Sequence, residues 1–176
     1  MGAIAEVRTG QAPPPGLLVD ISEFPFVNAG TTASGYASRP NTEADAITIP
    51  SRGQGGVGIV GHQATDFWCG PLCYRVRSLD KGVYTKYLYY FLKSVQPAIR
   101  ALQQTGGTPA LNRKELVLVE VALPPLEEQE RIVAILDKFD ALVNDLSVGL
   151  PAELRARRQQ YEYYRDKLLT FEESAA

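Results

Sequence analysis

The sequence holds one histidine, His62, and two cysteines, Cys69 and Cys73. Two thiols and one imidazole cannot fill a four-ligand zinc set at the usual spacings, so no metal site is expected. The thiols, in CGPLC, read as a buried, reduced pair, because free cysteine behaves as a small hydrophobe. G-x-S-x-G, H-E-x-x-H and P-loop motifs are missing, as is an Asn-Pro-Pro-aromatic catalytic loop. His62, in GHQAT, has no carboxylate or nucleophile motif around it. No catalytic residue is nominated, and the expectation is a chain that binds rather than catalyses. No apolar run approaches the roughly 18 residues of a membrane span. The first residues, MGAIAEVRTGQ, lack the basic region and apolar stretch of a signal peptide. Both absences point to the cytoplasm and away from a membrane. Met1-Gly2 does not suggest myristoylation, since Glu6 stands where that motif wants Ser or Thr.

What is present suffices for one ordinary domain and an appendage: 176 residues, 45% hydrophobic and 22% charged. The net charge of −2 argues against nucleic acid if taken alone. It is unevenly spread. Residues 1–123 carry 11 Lys+Arg against 9 Asp+Glu, and residues 124–176 carry 7 against 11. The first part is mildly basic and the second acidic, which permits DNA binding by the first without demanding it.

Along residues 1–123, short β-type segments alternate with glycine-rich loops. Ile4 to Thr9, Phe24 to Val27, Ala46 to Pro50 and Val57 to Val60 are strand candidates. Pro13 to Pro15 favour an extended connector. Asp66 to Val76 (DFWCGPLCYRV) reads as core strands around a Gly70-Pro71 bend. Gly53, Gly55 and Gly58 match G-x-G-x-x-G, but the glycines run into another β-type segment and not into the helix that a dinucleotide site needs. Leu88, Phe91, Leu92, Val95, Ile99 and Leu102 share one face of a helix over 85–104, capped by Thr85 and broken or kinked near Gln96 by Pro97. Leu116 to Leu123 (LVLVEVAL) reads as a buried strand.

Residues 123–171 form a different kind of segment. Pro124 and Pro125 stop what precedes, and Glu127, Glu128 and Glu130 suit the start of a helix. Ile132, Leu136, Phe139, Val143, Leu146 and Leu150 alternate steps of four and three, which is a heptad seam. Gly149-Leu150-Pro151 interrupts it. A second stretch follows at Leu154, Arg157, Tyr161, Tyr164, Leu168 and Phe171. If helical throughout, these residues would form a rod of roughly 65–70 Å, but the break at 149–151 predicts two consecutive helices with a kink or short gap rather than one straight rod.

The loops hold the residue types that read nucleic acid. Asn28, Thr31, Thr32, Ser34, Arg39, Ser51, Arg52, Gln54 and Thr108 all lie in glycine-rich stretches. Arg suits guanine and Asn or Gln suits adenine. Gly106 and Gly107 let the backbone approach phosphate, and hydroxyls contact its oxygens. On composition alone, ordinary polar loops are the favoured reading.

LPPLEEQERIVAILDKFDAL resembles the stretch that follows each target-recognition domain in the specificity (S) subunit of type I restriction–modification systems. GLPAELRARRQQYEYYRDKLLTF resembles the second part of that helical region. IAEVRTG, ITIPSRGQGGVGIV, YLYYFLK and GGTPALNRKEL are similar, more loosely, to the recognition domain. The resemblance implies an α+β fold: a mixed, β-rich recognition domain at 1–123, then a long helical coiled-coil region at 124–176. It implies a half-size subunit with one recognition domain, which reads one half of a split double-stranded DNA target. The helices would set the half-site spacing, dock the methyltransferase and restriction subunits, and pair with a second copy. Ile132, Leu136, Phe139, Val143, Leu146, Leu154, Tyr161 and Leu168 would line that pairing. S-adenosylmethionine and ATP chemistry would belong to the partners, so no cofactor is expected here. The alternative is a coiled-coil assembly or decoy protein that engages the modification subunits without reading DNA.

Overall fold

The structure, a computed structural model, describes residues 1–30, 32–104, 106–145 and 151–170. Contacts divide the chain into two compact units, Met1–Val121 and Ala122–Ala176.

In the first unit, segments rich in β-branched and aromatic residues pair into two sheets. β1 (Ala5–Thr9), β8 (Cys73–Ser78), β5 (Ala46–Pro50) and β6 (Gly61–Gln63) form an antiparallel sheet in that order. Its centre is β5, whose five residues are all buried. The second sheet runs β2 (Leu18–Val19), β4 (Tyr36–Ala37), β3 (Phe24–Val27), β7 (Trp68–Cys69), with β3 and β7 parallel. Ile47, Ile49, Val76, Leu88, Leu92, Ile99 and Leu116 are fully buried in one core, which joins the first sheet to the helices that follow. α1 (Thr85–Ser94) presents Tyr87, Leu88, Tyr90, Phe91 and Leu92 inward. α2 (Gln96–Ala101) starts anew with Pro97 in its first turn, because proline is tolerated there and not inside a helix. A small hairpin of β9 (Gln103–Gln104) and β10 (Ala110–Leu111) precedes α3 (Arg113–Leu116).

Three expectations for this unit change. Residues 57–60 are not a strand: 54–58 form a turn, because Gly58 sits at φ +75 and breaks the extended run. Their apolar character is still used, since Val57 and Val60 are buried in the core. Leu116 to Leu123 is not a strand either. Leu116 ends α3, and Leu118 is 76% exposed. Thr85 is the first helical residue and makes no cap; Tyr84 holds the N-cap position without a side-chain bond. Cys69 and Cys73 are both buried and reduced. Their thiols interact. Hydrogen bonding from Cys73 lowers the Cys69 thiol, while the same bond and burial raise Cys73.

The second unit contains α4 (Leu126–Asp145) and α5 (Pro151–Leu169). The Pro124 carbonyl accepts from the buried Gln129 side chain at 2.9 Å, which satisfies a group that the prolines leave at the helix start. Arg131 grips Glu128 with two bonds of 2.7 and 2.6 Å. That guanidinium lowers the Glu128 carboxyl below its ordinary value. α4 and α5 are separate helices that do not run on as one rod. Phe139 and Tyr164 stack with ring centroids 5.9 Å apart, whereas a continuous helix would separate them by roughly 37 Å. α4 and α5 pack on each other instead. Consequently the seam is partly closed within one chain. Ile132 and Leu136 are fully buried, Val143 is half-buried, and Tyr161 carries the Arg165 guanidinium 5.9 Å from its ring centre. Leu169, not the half-buried Leu168, is the buried leucine near the end of α5. Leu146 and the side chain of Leu154 lie outside the described residues. Among the described residues no helix is long and apolar enough to cross a membrane.

Candidate nucleic-acid interface

Three loops that lie far apart in sequence meet at one place. The first follows β3. Asn28 ends its strand run, and its side-chain Oδ1 accepts the Leu72 backbone N–H at 2.9 Å. The Gly70 N–H donates to the Val27 carbonyl at 2.8 Å, so the β3 exit is held by the 70–72 turn from two sides. A Cβ on Gly70 would collide with Asn28, so that approach requires glycine. The second loop follows β5. Ser51 donates its N–H to the Leu72 carbonyl and accepts from the Leu111 N–H, both at 2.8 Å. Arg52 then bridges to Ala110, and the Gly53 N–H reaches the Pro109 carbonyl at 3.2 Å. The third loop, between β9 and β10, is therefore clamped beside the second. Tyr74 secures it from below by donating its hydroxyl to the Leu111 carbonyl at 2.9 Å. Burial raises that phenol above its ordinary value, with the charges of Arg113 and Arg52 pulling the other way. The first loop touches the second at Gly56, where a Cβ would strike the Ala29 carbonyl oxygen.

This arrangement sorts the candidate residues. Arg52, Gln54, Gly106, Gly107 and Thr108 belong to the clamped pair of loops. Of these, Arg52, Gln54, Gly106, Gly107 and Thr108 are not buried, and the two glycines at 106 and 107 have open space around them. Thr32 and Ser34 are exposed in the β3–β4 connection, where Ser34 donates its N–H to Phe26 at 2.7 Å. Ser51 is 9% exposed and works as a backbone joint under the loops. Asn28 likewise has its carboxamide oxygen committed. Arg39 is exposed past the far end of β4, and no described contact ties it to the three loops. Thr31 lies outside the described residues.

Asn28 is thus placed as a support for the loop. Asn28→Ala leaves the Leu72 N–H without its acceptor, an expected cost of about 1–3 kcal/mol. Asn28→Asp keeps an acceptor oxygen and is expected to retain most of the stability. Chemical denaturation of both variants checks this.

The charge of the surface is as selective as its shape. Residues 28–34, 51–60 and 96–111 contain no Asp or Glu, although the chain has 20. The charged residues in these stretches are Arg52 and Arg100. Two positive side chains, several amides and hydroxyls, and glycine-lined backbone suit a polyanion better than a cation or an apolar ligand. Among the described residues no group of three or more His, Cys, Asp or Glu could hold a metal. Sequence reasoning missed Ala29 and Tyr74 as supports, because each acts through contacts across the fold.

Comparison with known proteins now gives the surface a family. Residues 1–156 match the family model "Type I restriction modification DNA specificity domain". The chain belongs to this family. It is 31% identical over 170 residues to the type I restriction enzyme MpnII specificity subunit of Mycoplasma pneumoniae, covering 96% of this chain and 51% of that one. It is 43% identical over 93 residues to the EcoR124I/EcoR124II specificity subunit of Escherichia coli, covering 52% of this chain and 23% of the relative. The chain thus spans about half, or less, of the length of these relatives. Its fold is shared with the crystal structure of a type I restriction–modification S subunit from M. genitalium, with a TM-score of 0.72 and 24% identity over 83% of this chain and 39% of that one. The α+β architecture expected for a specificity domain is the one observed, apart from the long coiled coil.

Proposed function

We propose that this chain is a DNA sequence-recognition subunit of a type I restriction–modification complex. The three acid-free loops would read one half of a split double-stranded target. The observation that carries the reading is their convergence, with the Arg52–Gly53 segment joined to Pro109 and Ala110 at the base of the Gly106–Thr108 loop. Its family membership supplies the DNA context. Methyl transfer and cleavage would belong to partner subunits, and this chain would contribute no catalytic group.

The helical unit would dock the methyltransferase and restriction subunits and pair with a second copy, which supplies the other half-site. Ile132 and Leu136 are already buried within one chain, so such pairing would use exposed residues instead. Leu142, Tyr163 and Tyr164 remain exposed at 50%, 60% and 39% and would carry it. That α4 and α5 pack on each other shortens the spacer relative to a rod.

Selection from a pool of random DNA duplexes tests the recognition reading. The chain should enrich a short motif. Arg52→Ala and Gln54→Ala should each weaken binding to the enriched duplex by about 1–3 kcal/mol and leave binding to random duplex nearly unchanged. Equal losses on both would reassign these residues to the phosphates. Failure of the wild-type chain to enrich any motif would sink the reading.

A further inference from the structure

The acid-free surface has a second positive group, on α2. Two glutamines, Gln96 at the start of this short helix and Gln103 just past its end in β9, bolt it to the 51–60 loop. The Gln96 Oε1 accepts from the Val60 N–H at 2.8 Å, and the Gln103 Nε2 donates to the Val57 carbonyl at 2.9 Å. Between these bolts, Gly58 packs against Arg100 with φ +75. A Cβ there would stand 3.1 Å from Arg100 Cγ and 3.2 Å from its Cα. The loop therefore fixes the stem of Arg100 while its head stays exposed. Among the described residues no carboxylate or carbonyl pairs with that guanidinium. Beside it lies an open hollow of about 470 Å³, lined by Gln96, Pro97, Arg100, Ala101 and Gln103.

An arginine with a pinned stem loses less rotamer freedom when its head is captured, and its planar fork matches phosphate oxygens. The two stretches that form its surroundings here, 51–60 and 96–111, contain no Asp or Glu to compete for it. We propose that Arg100 is a DNA-phosphate contact that sets the register of the reading loops, with the α2 hollow receiving the sugar–phosphate backbone. This rests on the loops being the DNA interface. In that arrangement Arg52 and Gln54 address base edges, and Arg100 carries position without sequence information. The two glutamines make the division of labour mechanical: a phosphate held at Arg100 holds the loop that bears Arg52 at a fixed offset along the duplex.

The test uses the full chain with a random duplex pool and the duplexes it enriches, titrated over a range of salt. Arg100→Ala should weaken both duplex classes by the same factor. It should reduce the slope of log affinity against log salt by about one and leave the enriched motif unchanged. Arg100→Lys should restore most of the slope, because it keeps the charge. Trp68 fluorescence establishes that each variant is folded. An unchanged slope in Arg100→Ala, or a changed motif, would overturn the proposal even if Arg52→Ala behaves as a base reader. A wild-type chain that enriches nothing would instead overturn the interface reading itself.

Discussion

Leu136→Ala is expected to destabilise the helical unit by about 2–5 kcal/mol at any protein concentration. Leu136 is fully buried in a single chain, as is Ile132 one turn earlier. Removing its isopropyl group loses transfer energy and opens a cavity that the surrounding structure only partly closes. If the seam instead faced a second copy, the cost would be an association cost. It would fade at low concentration, where the wild type is also monomeric, and grow with concentration. Denaturation followed by far-ultraviolet circular dichroism, over a hundredfold range of concentration, separates the two cases. Leu142→Ser is the companion variant. Leu142 is 50% exposed, so its loss should leave monomer stability within about 0.5 kcal/mol. If α4 and α5 pair with a second copy through their exposed residues, Leu142→Ser should weaken dimerisation measured by light scattering.

The packing of α4 on α5 shows where sequence reading stops. The apolar spacing identified the helices themselves: α4 covers Leu126–Asp145, and α5 starts at Pro151. The same spacing is silent about what covers the apolar face. A seam can be closed by another chain or by the next helix folding back, and the stacked pair Phe139–Tyr164 shows α5 meeting α4 within one chain. In the first unit, local chemistry was equally informative about elements and equally silent about assembly. Ala46 to Pro50 reads as a buried strand because its residues are apolar or β-branched, and β5 is one. Pro97 predicts the division between α1 and α2. Val57 to Val60 misleads because three β-branched residues outweigh one glycine in a local count. In the fold, Gly58 is needed at positive φ to pass Arg100. Leu116 to Leu123 misleads for the opposite reason: an apolar run need not be buried when Leu118 can face solvent. The candidate interface was legible as a list of loop residues and illegible as a place. The contacts that assemble it, Asn28 with Leu72, Gly53 with Pro109 and Gly56 with Ala29, each join positions far apart in the chain. They also separate supports such as Asn28 and Ser51 from groups free to reach a ligand.

The first unit should be most sensitive at β5, the strand that leads directly into the Arg52 loop. Ile49 is fully buried, pairs across to Tyr74 on β8, and shares the core with Leu88, Leu92 and Leu111. Ile49→Val removes one methyl group and is expected to cost about 0.5–1.5 kcal/mol; Ile49→Ala should cost about 2–5 kcal/mol. The steep rise follows from position. A central strand is fixed on both edges by β6 and β8, so the backbone cannot move in to refill the space. The readout is built in, because Trp68 is the chain's one tryptophan and is buried in this unit. Its fluorescence should shift to an earlier unfolding transition in Ile49→Ala and not in Leu136→Ala, if the two units unfold separately. Tyr74 gives the functional corollary. Its hydroxyl holds Leu111 and thereby the third loop, and the Ile49 cavity would loosen its ring. Ile49→Ala should therefore lose sequence-selective DNA binding at temperatures where most molecules are still folded. Ile49→Val should retain it. Selectivity that persists in Ile49→Ala up to its own melting transition would mean that the loops hold their geometry without support from the strand beneath.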